Sequence, residues 1–245
     1  FYIFSNINGH GLQVYISDSA KGPWKHHKVN GDIYDLSVLF DDDGKIYAVH
    51  KYGNVTVTEL KPDLSGPVEG SSKVVIQEGN AMGEGHHVYK INGMYYILSA
   101  DYSPMGRMQC ARSKSIWGPY ETCVISERES FGYAAGWSVG NVGLGRPVPE
   151  DGFQFQNKRP NGVNLSCATI HQGGIVQAPD GKWWGVSMQD FNAVGRTVCL
   201  SPITWVDGWP YFGLEKNLGR SPRTWFKPND MVKTPQAPYD RCDDF

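Results

Sequence analysis

Three ionisable side chains recur at nearly the same place in a repeating pattern. Asp35 lies nine residues before the glycine of an Asp43-Gly44 turn, Glu84 nine before that of Asn92-Gly93, and His171 ten before that of Asp180-Gly181. Side chains delivered by the same step of a repeated unit converge when the units are arranged about an axis. Two carboxylates sharing one pocket suit cleavage of a glycosidic bond: one protonates the departing oxygen, and another activates water or attacks the sugar. Neighbouring negative charge and partial burial lift the acid into a range where it can give up a proton. An isolated acid more often caps a turn or binds water; equivalent placement in a repeat is what favours chemistry.

The elements that must position these residues are short strands. Runs rich in Tyr, Trp, Val and Ile alternate with Gly, Asp and Pro turns, and long 3.6-residue periodicity is absent. Asp43-Gly44, Asn92-Gly93 and Asp180-Gly181 supply the positive φ angles of tight hairpins, with their glycines 49 and then 88 residues apart. Ser17-Asp-Ser-Ala-Lys-Gly22-Pro23-Trp24 matches Ser113-Lys-Ser-Ile-Trp-Gly118-Pro119-Tyr120, and Gly66-Pro67 falls between them at steps of 44 and 52. The opening run Phe1–Ser5 is similar to Tyr95–Ser99. One period of this length holds about four strands, the size of a β-propeller blade. No helical crossovers of a parallel α/β fold are visible.

Composition narrows the partners. The chain has 245 residues, a net charge of −2, and is 13% aromatic with 8 Trp and 13 Tyr. That charge and a pI near 6.4 argue against nucleic acid or an anionic membrane surface as partner. No apolar run reaches the roughly 20 residues of a membrane helix. Aromatic rings suit both sheet packing and the flat faces of sugars. Cys110, Cys123, Cys167, Cys199 and Cys242 follow no metal-ligand spacing; they read as buried thiols, and spacing does not decide a Cys110–Cys123 bridge. Asp41-Asp42-Asp43-Gly44 lacks the spaced oxygens of a calcium loop and reads as an acidic hairpin turn. Asn54-Val-Thr56 and Asn164-Leu-Ser166 are sequons that matter only in a eukaryotic secretory pathway.

Several segments together carry a resemblance. Glu84-Gly-His-His-Val-Tyr-Lys90 before Asn92-Gly-Met-Tyr-Tyr96 resembles the general-acid segment of glycoside hydrolase family 43. Tyr34-Asp35-Leu-Ser-Val-Leu-Phe40 resembles the segment carrying that family's second carboxylate. Ile170-His171-Gln-Gly-Gly174, Asp180-Gly-Lys-Trp-Trp184, Gly195-Arg196 and Thr204-Trp-Val-Asp-Gly-Trp-Pro210 look like its later blades. The likeness runs from Phe1 to about Pro228.

The resemblance implies an all-β, five-bladed β-propeller and an exo-acting, inverting hydrolase. Its substrates would be terminal α-L-arabinofuranosyl or β-D-xylosyl units on plant hemicellulose or pectin side chains, so the protein is expected to be secreted or periplasmic. It implies Glu84 as general acid, Asp35 as modulator of that acid, and Arg196, His87 and His171 as substrate-binding residues. His171 also matches a channel histidine that holds a structural calcium in many members, although the chemistry requires no cofactor. His86 stands where the family often has a proline. The family's catalytic base, an Asp on the first blade's inner strand, belongs before Phe1 and is not assigned here. The expected organisation is therefore residues 1–228 as a propeller lacking its N-terminal blade, then 229–245 as a linker and the entry to a β-sandwich. Residues 130–160 break the repeat, and their loops are expected to shape the substrate pocket. The rival is a carbohydrate-binding propeller without catalysis; a scaffold for protein partners has no use for converging acids.

Overall fold

Asn92 and Gly93 both adopt left-handed backbone, with φ of 51° and 77°. This is the two-residue turn that matches the twist of paired strands, and it joins strand β8 (Glu84–Ile91) to β9 (Met94–Tyr102). Two more strands, β10 (Met105–Ser113) and β11 (Glu121–Val124), complete an antiparallel meander in the order β8-β9-β10-β11. The computed structural model describes residues 1–29, 31–79, 82–102, 105–126, 171–190 and 196–219.

The same meander occurs on either side of this one. Strands β4 (Ser37–Phe40), β5 (Ile46–His50), β6 (Val55–Leu60) and β7 (Lys73–Ile76) form one four-stranded sheet. Strands β12 (His171–Gln177), β13 (Trp183–Asp190), β14 (Arg196–Val206) and β15 (Trp209–Phe212) form another. The sheet of β1 (Tyr2–Ile7), β2 (Gly11–Ile16) and β3 (Lys25–Val29) has three strands. Its turns repeat those of the β8–β11 sheet bond for bond. Ser17 Oγ accepts Ser19 N–H and Ser113 Oγ accepts Ser115 N–H, both at 3.1 Å. Thus β1, β2 and β3 correspond to β9, β10 and β11, and no described strand corresponds to β8. The expected all-β propeller architecture is met by these blades; residues 127–170, with the expected pocket-shaping segment, and the proposed linker at 229–245 lie outside the described residues.

Blades stack through apolar residues on both faces. In β9, Tyr95 and Ile97 pack with Tyr47, Val49 and Val57 of the preceding sheet, while Tyr96 and Leu98 pack with Ile175, Ile203 and Phe212 of the following one. Alternate residues of a strand point to opposite faces, so a strand sandwiched between sheets reads as a continuous apolar and aromatic run, as 94–98 does. Leu12, Val14 and Val29 close on Ile46, Ala48 and Leu60 in a third core. The first strands of successive blades lie side by side, β4 beside β8 and β8 beside β12.

The Asp41–Asp43 run is indeed a hairpin turn, and it also fastens two blades. The Asp41 side chain is fully buried and accepts hydrogen bonds from Lys90 Nζ (2.5 Å) and Tyr95 OH (2.6 Å) of the next sheet. Burial opposes the charge, but the Lys90 and Tyr95 hydrogen bonds and the Asp42 N–H outweigh it and hold the carboxyl below its ordinary range. The resulting stabilisation is present above the unfolded-state value and is lost as pH falls through the depressed one. Asp41→Asn should cost roughly 2 kcal/mol, read as a fall in chemical-denaturation midpoint at pH 7. The difference from the parent should shrink as pH falls through the depressed value, where the parent side chain also becomes neutral.

The cysteine pair is also resolved. Cys110 and Cys123 lie opposite each other on β10 and β11, and both are free thiols. Cys110 is fully buried, and burial pushes its thiol well up. Cys123 Sγ instead meets Tyr211 OH at 3.3 Å.

Candidate active site

One backbone device recurs at the start of β4, β8 and β12. In β8, Glu84 pairs with Ala100 and His87 with Leu98, so three steps on one strand oppose two on the other. In β12, His171 pairs with Met188 and Gly174 with Val186 in the same way. Before β4, the Tyr34 carbonyl accepts Lys51 N–H at 3.0 Å while Ser37 pairs with Val49. Each is a β-bulge, which bends a strand and re-aims its side chains. In each, the second residue is left-handed: Asp35 at φ 49°, Gly85 at 66° and Gln172 at 45°.

The true counterparts therefore differ by one residue from a count back from the hairpin glycines. Glu84 corresponds to Tyr34 and His171, whereas Asp35 corresponds to Gly85 and Gln172. The cause is loop length. Asn92-Gly93 is a two-residue turn, but Asp41 pairs with Lys45 and Ala178 with Lys182 across three-residue loops. Convergence survives the correction, because residues before and within the bulges meet one another.

Glu84 sits at the centre, half-buried. Its Oε2 accepts Tyr34 OH at 2.7 Å and its Oε1 accepts Gln172 Nε2 at 2.9 Å. Asp35 Oδ2 accepts Gly85 N–H at 3.1 Å, which ties the second carboxylate to the residue beside the first. Burial and then the negative charge of Glu84 push Asp35 above its ordinary value, against a lowering by the Gly85 N–H. Tyr34 is raised, chiefly by donating to Glu84. The inner strands belong to different sheets, so side chains satisfy the backbone groups between them. Ser37 Oγ accepts Val88 N–H at 3.0 Å, and Tyr89 OH accepts Ile175 N–H at 2.9 Å.

The two histidines after Glu84 face opposite ways. His86 is buried, binds the Lys51 carbonyl through Nε2, and is pushed down to about 4 by desolvation; it is neutral at working pH. His87 turns toward β12, where it lines a cavity of about 340 Å³ with Gln172, Gly174 and Val186. Burial lowers it also. His171 begins β12 at the position equivalent to Glu84, and Arg196 begins β14 opposite Asp190. The side chains of His171 and Arg196 lie outside the described residues. Tyr34 and Gln172 were not singled out by sequence, although each adjoins a residue that was. Aligning the strands by pairing instead of by turn glycines would have exposed them.

Calcium takes six to eight oxygen ligands. Among the described residues no group of three or more His, Cys, Asp or Glu could hold a metal ion. No chemical step is routed through a calcium ion. Nor is any helix of the described residues long and apolar enough to cross a membrane.

Known proteins resemble this chain over most of its length. The family model "Glycosyl hydrolases family 43" matches residues 1–130. A non-reducing end α-L-arabinofuranosidase of Bacteroides ovatus is 31% identical over 94% of this chain and 40% of its own length. A β-xylosidase of Formosa agariphila is 28% identical over 94% of this chain and 40% of its own. Among solved structures, a bifunctional GH43-CE protein from Bacteroides eggerthii is 29% identical with a TM-score of 0.69, covering 96% of this chain and 26% of that one. The chain spans about two fifths of the length of the curated relatives it matches.

Proposed function

Because the chain belongs to glycosyl hydrolases family 43, we propose that it carries the acid side of an exo-acting, inverting pentosidase active site. The substrate would be a terminal α-L-arabinofuranosyl or β-D-xylosyl unit on plant hemicellulose or pectin side chains. The observation that carries this reading is the pairing of Glu84 with Asp35 through the Gly85 N–H at the start of adjoining inner strands. Glu84 protonates the leaving oxygen. Asp35 supplies the negative charge that favours the protonated acid and holds the Gly85 backbone beside it. The carboxylate that activates water is not assigned in this chain. The names of the relatives support pentose as the sugar and leave arabinose and xylose as alternatives.

His87 and, from their places at strand starts, Arg196 and His171 are the proposed sugar-binding residues. Arginine's rigid fork can engage two hydroxyls at once. A calcium ion beside His171 would have a structural role only. Secretion or periplasmic export belongs to the same proposal, since polymers do not enter cells intact.

Product analysis tests the reaction. The full-length protein, given arabino- and xylo-oligosaccharides, should release single pentoses whose initial anomeric signal in proton NMR is opposite to that of the bond cleaved. Release of internal fragments would refute exo action, and a retained anomer would refute inversion. Binding without any release would leave a carbohydrate-binding propeller instead of an enzyme.

A further inference from the structure

The two donors on the Glu84 carboxylate are chemically unlike. Gln172 Nε2 holds Oε1 and Tyr34 OH holds Oε2. An amide nitrogen can only donate, whereas a phenol can donate or accept. While Gln172 faces Oε1, that oxygen must keep a lone pair toward it. A protonated Glu84 therefore carries its hydrogen on Oε2, with the Tyr34 hydroxyl turned to accept. Resting on the reading of Glu84 as general acid, we propose that Gln172 is a positioning residue that assigns the acid proton to Oε2 and fixes the plane of the carboxyl group.

The fold builds Gln172 into this place. It occupies the left-handed bulge position of its blade, as Asp35 does two blades earlier, with φ of 45° and 49°. The two reach β8 from opposite sides, Asp35 to the Gly85 N–H and Gln172 to the carboxylate. Gly85 leaves the path clear. A Cβ built there would stand 2.7 Å from Gln172 Cγ and 3.3 Å from its Cβ and Cδ. The Gln172 stem thus crosses directly over the bare backbone of Gly85, at a residue whose φ of 66° already favours glycine. The groups around Glu84 are Asp35 and Tyr34 on the β4 side, with Tyr52 beyond Tyr34, and neutral His86 on β8 itself. On the β12 side the described neighbour is the uncharged Gln172.

Leaving-group dependence separates positioning from mere support. A glycosidic oxygen that leaves as an alcohol needs a full proton, whereas a nitrophenolate leaves with little help. In the full-length protein, Gln172→Leu should lose roughly tenfold or more in kcat/KM on a pentose disaccharide but only a few-fold on the nitrophenyl pentoside. Its alkaline limb should move to higher pH, because the ionised carboxylate has lost a donor. Gln172→Met keeps the length of the stem and should behave alike, which covers a folding failure of the leucine variant. Equal losses on both substrates with an unmoved limb would overturn the proposal and leave Gln172 a packing residue. Retained disaccharide hydrolysis by Glu84→Gln would instead remove the general-acid reading itself, whatever Gln172 does.

Discussion

Glu84→Gln is expected to lower turnover of unactivated pentosides by about a thousandfold, the scale of a general acid's contribution. The fold should remain intact, and the hydrogen bonds explain why. A glutamine at 84 can turn its carbonyl oxygen to Gln172 Nε2 and its amide to Tyr34, whose hydroxyl reverses to accept. Both partners stay satisfied, so no buried group is orphaned. The thermal midpoint should therefore stay within a degree or two of the parent, and oligosaccharide binding by calorimetry should persist. Activity near the parent level on a disaccharide would remove Glu84 from the chemistry. Loss of binding and folding together would show a structural residue instead.

The second large effect concerns Asp35. Asp35→Asn should reduce kcat/KM by roughly a hundredfold, the cost of misplacing or detuning an acid that stays in place, while leaving the protein at least as stable at neutral pH. Asn tolerates left-handed backbone well, and its Oδ1 can still accept the Gly85 N–H. Asp35 lies above its ordinary carboxylate value through burial and the charge of Glu84. The folded state therefore holds this proton more tightly than the unfolded chain does. The stability it contributes is present below the ordinary value of 3.8 and is lost as pH rises through the raised folded one. Asparagine carries no such charge. Melting curves from pH 4 to 8 should show the variant gaining on the parent as pH rises. A variant that melts lower at every pH, with the gap widening toward neutrality, would contradict this account. Removing the negative charge should also move the alkaline limb of activity to lower pH, opposite to the shift expected of Gln172→Leu.

These two results together would set the charge on one side of Glu84 against the neutral donor on the other. In the proposed roles, Asp35 sets a negative charge beside the acid and Gln172 a neutral donor on it. Both come from the same bulge in different blades, so one repeated backbone feature supplies different influences according to the residue placed there. Exchange of those residues, as opposed to movement of backbone, is a route by which such a site can be retuned.

Much of this was legible in the residues themselves. The hairpin glycines, the Ser-x-Ser repeats and the unbroken apolar runs specify antiparallel blades, because turn chemistry and strand periodicity are local properties of the chain. The convergence of Asp35 and Glu84 followed from that repeat, and the Asp41 run was readable as a turn. The packing of one blade on the next was not readable, and it gave Asp41 its buried ties to Lys90 and Tyr95. Nor was the register, since a one-residue difference between hairpin loops is invisible in a glycine count yet decides which side chain a bulge presents. Gln172 shows the limit most clearly. Its amide meets a carboxylate 88 positions earlier in the chain, and only the approach of two separate sheets across an absent side chain at Gly85 brings the two together.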